Sequence, residues 1–312
     1  VFLDGDCVPF PDLVLRHVEG ARPDAFLVGE RYLLEQDEAE AVTEATIASG
    51  AAFEGAPARE VRRVRRIARN DVLYRVTGLK PDRPRLLGSN FSVPRAAFEA
   101  VNGLDERHEG WGHEDEDLRR RLVARGYRPA SLVGQANCLH LWHLVLNKDR
   151  KRSPNWRYLR RGFFLSACRR GLVARSLADL AATVVASDAA TAERARRALG
   201  LGADAPAGAR LELEVIVDLE PSAPARRATR RAEVTVLVSN SPPGALPARV
   251  EAGGVDLVLA PGLDTCGGEL PGEEWPAVPP ALARAGVKAT RAIPPDDERA
   301  LAAARDLLDA IL

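Results

Sequence analysis

Val1-Phe2-Leu3-Asp4-Gly5-Asp6 opens the chain with three apolar residues that give way to two acids around a glycine. A short buried strand delivers polar residues in this way to the edge of an α/β sheet, where ligands bind. Working outward, Pro9 and Pro11 lead to Asp12, which is predicted to cap a helix to about Glu19 with Leu13, Val14, His17 and Val18 on its apolar side. Residues 25–34 alternate enough for a strand, and 59–76 have helical spacing through Val61, Val64, Ile67, Ala68 and Val72. A loop over 78–84 closes that unit. A strand over 85–93 carries Gly88-Ser89-Asn90, and Pro94 opens a short helix ending at Gly103. Residues 114–124 form the clearest helix, with acids in its first turn and Gly126 past its end, and 127–141 suit a strand.

The rest of the chain divides by composition. Basic, partly helical sequence over 147–204 ends in a Gly/Ala/Pro-rich linker at 202–208. Three β-like runs (211–219, 232–238 and 255–260) and a last helix over 296–312 then predict a second small α/β domain. The expectation is a mixed α/β sheet flanked by helices over 1–146, a basic helical extension over 147–204, and a small α/β domain of unassigned role over 205–312. Cys266 with Gly267-Gly268 reads as a plain turn.

Lysine plus arginine (44) balances aspartate plus glutamate (44), which argues against a nucleic-acid partner. Arginine is nevertheless concentrated in two stretches, Arg59 to Arg69 and Arg150 to Arg170. Such runs are solvated helix faces or surfaces for anionic lipid or pyrophosphate. Cys7, Cys138, Cys168 and Cys266 form no CxxC pair, so neither zinc nor a disulfide framework is indicated and a reducing cytoplasm is expected. The most apolar helical stretch, 172–186, is interrupted by Arg175 and Asp179 and is not a spanning helix. A chain that starts with Val, contains no Met and opens in mid-strand is expected to be truncated at its N-terminus.

Three constellations carry chemistry. Asp4 and Asp6 supply hard oxygen ligands for Mg²⁺ or Mn²⁺, with Gly5 allowing close backbone approach, although an Asp/Gly turn also satisfies the tripeptide. In Trp111-Gly112-His113-Glu114-Asp115-Glu116-Asp117, helical geometry puts Glu114 and Asp115 on the side of Leu118 and Leu122 and Glu116 roughly opposite. A helix N-terminus keeps carboxylates ionised, as a general base requires, while Trp111 offers a flat face on which sugars stack. Asp117 is one turn from Arg121 and suited to pair with it. Finally, His140-Leu141-Trp142-His143 follows an apolar run, and imidazole suits Mn²⁺ better than Ca²⁺.

Phe2-Leu3-Asp4-Gly5-Asp6-Cys7, Gly88-Ser89-Asn90, Val101-Asn102-Gly103-Leu104-Asp105-Glu106 and Gly110 through Leu118 with Arg121, in this order, resemble the family-2 glycosyltransferases with a galactosyltransferase-type C-terminal segment. The resemblance covers about residues 1–145. It implies a GT-A fold, here lacking its first, uridine-binding strands, and inverting transfer from a UDP-sugar of galactose or N-acetylhexosamine type. By the same resemblance Asp6 and His143 bind Mn²⁺ or Mg²⁺, with His140 as a further ligand, Asp4 contacts the nucleotide, and Asp115 beside Glu114 is the base. Asn90, Trp111 and Gly112 are expected to line the donor or acceptor site. The expected acceptor is a glycan or lipid-linked glycan in cell-envelope polysaccharide assembly, and the expected place is the cytoplasm or the inner face of the membrane. A non-catalytic carbohydrate-binding or scaffold protein is the competing reading, and a paired-carboxylate hydrolase leaves the metal-like elements unexplained.

Overall fold

A computed structural model describes residues 1–80, 83–144, 154–203, 205, 210–219, 232–250, 254–263 and 277–312. The chain is mixed α/β and divides into two compact units, Val1–Gly103 with Glu114–Asp149, and Leu104–His113 with Arg150–Leu312.

In the first unit, β1 (Phe2–Leu3), β2 (Cys7–Pro9), α1 (Leu13–Gly20), β3 (Ala25–Val28) and β4 (Glu30–Leu33) precede four helices: α2 (Gln36–Glu40), α3 (Glu44–Ser49), α4 (Ala51–Glu54) and α5 (Ala58–Thr77). Then come β5 (Asn90–Ser92), α6 (Arg95–Ala100), α7 (Glu114–Ala124), β6 (Arg128–Ser131) and β7 (Asn137–His140). One mixed sheet has the order β1-β5-β3-β6 and a smaller one the order β2-β7-β4. This mixed sheet with helices is consistent with a GT-A-like arrangement.

The two-residue period of β3 builds the core on both faces. Phe26 and Val28 pack with Phe91, Ala97, Val101, Leu118 and Leu122, whereas Leu27 joins Leu13, Leu132 and Ala136. The run expected as one strand over 25–34 breaks at Gly29, because a Cβ there would stand 2.3 Å from Asn90 Nδ2 and 2.7 Å from the Ala136 carbonyl. The chain crosses from one sheet to the other at that point. Likewise 127–141 is two strands, turned at Gly134 with φ +81°, and 85–93 shortens to β5.

The helix ends differ in detail from expectation. Asp12 precedes α1 but makes no capping hydrogen bond, because its carboxylate accepts from Arg16 Nε at 3.0 Å. Leu13 and His17 are buried while Val14 and Val18 face outward, so the apolar side is narrower than the sequence predicts. Pro94 sits one residue before α6 rather than within it.

The second unit contains α8 (Pro154–Leu159), β8 (Ala182–Val185), α9 (Ala189–Leu199), β9 (Leu211–Asp218), β10 (Ala232–Ser239), α10 (Leu246–Val250), β11 (Leu257–Ala260), α11 (Pro280–Arg284), β12 (Ala289–Ala292) and α12 (Asp297–Ile311). Its five strands are parallel in the order β12-β11-β10-β9-β8. Val215, Val236 and Leu257 face the side covered by Leu199 and Leu308, and Ile216, Leu237 and Val258 face Leu246 and Leu282. Burial on both faces explains the continuous apolar runs. The helical extension expected over 147–204 is corrected here, since β8 pairs with β9 and supplies an edge of this sheet. Within the second basic stretch, Arg161 stacks on Tyr158 and donates to the Phe163 carbonyl, and Arg169 is buried against Asp309. These cations serve packing. Arg150, Lys151 and Arg152, most of the linker, and Cys266 with Gly267-Gly268 lie outside the described residues.

Candidate functional site

Asp6 and His140, 134 positions apart, meet because β2 runs antiparallel to β7 with Cys7 opposite His140. The Leu141 N–H donates to the Asp6 carbonyl at 2.9 Å, which fixes the segment beyond β7 against the turn between β1 and β2. Asp6 Oδ2 then lies 3.2 Å from His143 Nε2 and 3.6 Å from His140 Nε2. One ligand atom from each of the three lies within 4.8 Å of the others. A carboxylate with two imidazoles fits Mn²⁺, and three protein ligands leave positions for water or substrate oxygens. Cys7 is next in sequence but is no thiolate: its hydrogen bond with Cys138, then burial, hold the thiol far above its usual range.

Asp4 stands at the same edge. Partial burial, then repulsion from Asp6, raises its carboxyl above the ordinary 3.8, with Glu114 adding to this and Arg31 and His140 opposing it. Gly88 is a neighbour, since a Cβ there would be in ordinary van der Waals contact with Asp4 Oδ1 at 3.7 Å. Arg31, on β4, donates to Ser89 Oγ at 2.7 Å and is the cation of this edge. The sequence carries no motif around Arg31; its only trace is the charged pair Glu30-Arg31 interrupting a largely apolar run.

Helix α7 sorts its four acids. Asp117 accepts from Arg121 Nε at 2.8 Å, both buried, and Arg121 Nη1 also donates to the carbonyls of Val101 and Gly103 at 2.7 and 2.6 Å. This ties the loop after α6 to α7. Burial works to raise the Glu116 carboxyl, but Arg119 and then Arg120 and Arg85 bring it below 4.5, and Arg119 holds both its oxygens. Asp115 Oδ1 accepts the Glu116 N–H at 2.6 Å. Glu114 Oε2 is buried with no hydrogen-bond partner among the described residues.

The other residues expected at the site, Asn90, Trp111 and Gly112, have these surroundings. Asn90 is fully buried and its amide is engaged inside the fold: Nδ2 donates to the carbonyls of Glu30 and Ala136 at 3.0 and 3.1 Å, and Oδ1 meets His17 Nε2 at 2.9 Å. His17 Nδ1 in turn meets Ser92 Oγ at 2.8 Å, and burial lowers its basicity below the ordinary 6.5. Trp111, Gly112 and His113 belong to the second unit, so the acidic motif straddles the division. There Asn155 clamps the loop by donating to the carbonyls of Glu109 and Gly112 at 3.0 and 2.9 Å. Gly112 and His113 both have positive φ, +97° and +76°, which is uncommon for a histidine. His113 packs on Trp156, and Trp111 is 58% exposed.

Residues 72–143 match the family described as the N-terminal domain of galactosyltransferase. Over 71 residues, 22% of this chain, the sequence is 35% identical to the beta-1,4-galactosyltransferase 1 of Mus musculus and of Homo sapiens, and 32% identical to that of Bos taurus. The aligned stretch is 16–17% of those proteins, so the chain matches about one sixth of their length. These relatives are glycosyltransferases by name. The family match contains Gly88 to Asn90, the acidic turn of α7 and both His140 and His143, while Asp4 and Asp6 lie before it.

Proposed function

We propose that the protein is an inverting glycosyltransferase that moves a sugar of galactose or N-acetylhexosamine type from a UDP-sugar to a hydroxyl of a glycan or lipid-linked glycan. The observation that carries the reading is the gathering of Asp6, His140 and His143 at the sheet edge that also bears Asp4. The galactosyltransferase-type match over 72–143 supports it.

In this reading Asp6, His143 and His140 would hold Mn²⁺ or Mg²⁺, which when bound would supply positive charge against that developing on the diphosphate leaving group. Asp4 orients the nucleotide, Arg31 faces the anionic edge of the donor, and Glu114 receives a donor or acceptor hydroxyl at its unpartnered oxygen. Asp115, at the first turn of α7, takes the proton of the attacking hydroxyl as oxygen adds to the anomeric carbon from the face opposite the leaving UDP. A single carboxylate base suffices for inversion. Within the second unit, the exposed ring of Trp111 beside the turn at Gly112 offers by itself a face on which a sugar can stack.

Turnover of UDP-galactose and UDP-N-acetylhexosamines with glycan acceptors, with Mn²⁺ or with chelator, tests this. The Asp115→Asn variant is expected to lose roughly 10²–10⁴-fold in turnover, the range for a lost general base, while keeping Mn²⁺-dependent UDP affinity. Unchanged turnover sinks the base assignment. UDP affinity indifferent to Mn²⁺ points instead to a carbohydrate-binding or scaffold protein.

A further inference from the structure

The two arginine-rich stretches of the sequence have different fates, since Arg161 and Arg169 of the second are consumed by packing. The first lies on α5, and most of its arginines face outward. The helix buries Glu60, Val64 and Asp71. Glu60 accepts from Arg63 and from the Leu33 N–H, and Asp71 accepts from Ser131. Both acids of the helix are thus turned inward. Arg59 meets Glu35 and Glu38, at either end of the first turn of α2, and Arg63 meets Glu30 and Glu60. Arg62, Arg65, Arg66 and Arg69 are exposed and form no ion pair among the described residues.

At 3.6 residues per turn, Arg62, Arg66, Arg69, Leu73 and Val76 fall within an arc of about 80°. The outward stripe is therefore cationic over its first half and apolar over its second. Leu73 is 52% exposed, Val76 77% and Leu79, just beyond the helix, 73%. Large side chains left this open on one face of a helix mark a binding surface.

We infer that the outward face of α5 docks on an anionic lipid bilayer. Arginines suit the headgroup level and exposed leucine and valine suit the acyl boundary, and an anionic bilayer takes both. A soluble acidic polymer would meet the arginines and leave Leu73, Val76 and Leu79 in water. No helix among the described residues is long and apolar enough to cross a membrane, so the contact is lateral. The inference goes beyond the transferase reading and does not depend on it.

The test is co-sedimentation of the full chain with vesicles of phosphatidylcholine alone and of phosphatidylcholine mixed with phosphatidylglycerol. Binding is expected to the mixed vesicles only and to weaken with added salt. The triple variant Arg62→Gln, Arg66→Gln, Arg69→Gln is expected to partition roughly a hundredfold less, about fivefold for each arginine near the surface. The double variant Leu73→Ser, Val76→Ser is also expected to bind less. All five positions are on the surface, so unfolding temperature and turnover of a soluble acceptor stay unchanged. Equal sedimentation with both vesicle types, or a triple variant that binds like the parent, overturns the inference. So does a double variant that binds normally while a soluble polyanion displaces the protein completely, which would assign the face to an acidic macromolecule.

Discussion

Asp6 and Asn90 sit on neighbouring segments of one sheet edge, yet their surroundings are opposite. Around Asp6 the polar groups are a carboxylate and two imidazoles, all suited to a shared cation, with the partly buried Asp4 carboxylate alongside. Around Asn90 every donor and acceptor meets a protein partner: two carbonyls, His17 and, through His17, Ser92. Arg121 and Asp117 belong to the second kind. On the proposed reading the difference separates groups kept for a ligand from groups that hold the surrounding fold in place, and it makes opposite demands on stability and activity.

The largest effect expected is on activity alone. Asp6→Ala removes the carboxylate shared by His140 and His143, and Mn²⁺ affinity should fall by more than the roughly 10–100-fold that even an outer-shell partner costs. Metal-dependent turnover should fall with it while the unfolding temperature holds, because no arginine or lysine among the described residues pairs with Asp6. A substantial drop in unfolding temperature would erase the contrast, making the edge another structural clasp.

Arg121→Ala should do the reverse. It leaves Asp117 buried without its cation and the carbonyls of Val101 and Gly103 without their shared donor. The expected loss is about 3–5 kcal/mol in denaturant unfolding, typical of a buried pair with one partner removed. Gly29→Ala attacks the Asn90 clasp by steric means, placing a methyl group against its amide and the Ala136 carbonyl. About 1–3 kcal/mol of destabilisation is expected, as for overpacking elsewhere. If stability were unchanged, the clasp around Asn90 would be loose.

The same contrast explains what could be read in advance. The meeting of Asp6, His140 and His143 is legible because carboxylate and imidazole at strand ends are the residue types a cation needs, and helical spacing separates Asp117 and Glu116 from their neighbours on α7. The internal hydrogen bonds of Asn90 are not legible, because an amide that binds a ligand and one that binds carbonyls look identical until the chain folds. Arg31 and His17 each contribute through a partner more than 50 residues away in sequence, Ser89 and Asn90. Ala182–Val185 lies in a stretch that reads as helical because so short a run, three apolar residues and Thr183, satisfies either period, and only pairing with β9 decides. Val14 and Val18 flank the buried face of α1, and how much of a helix is covered depends on its neighbour rather than on its own pattern.

The smallest effect concerns His17, and it measures how completely the clasp is closed. Burial, only partly offset by the hydrogen bond to Asn90, holds the folded-state basicity of this imidazole below its ordinary 6.5. The unfolded chain therefore takes up a proton before the folded one does as pH falls. Stability from a neutral His17 is fully present above 6.5 and is lost progressively below it, since stability rises with pH wherever the unfolded state binds more protons. His17→Gln keeps hydrogen-bonding capacity toward Asn90 and Ser92 but cannot titrate. Unfolding free energies between pH 5 and 8 should show a shallower acid-side slope for the variant, with little difference between the proteins at neutral pH. An unchanged slope would mean that His17 is protonated in the folded clasp as readily as in water, and that this polar group is less completely enclosed than its hydrogen bonds indicate.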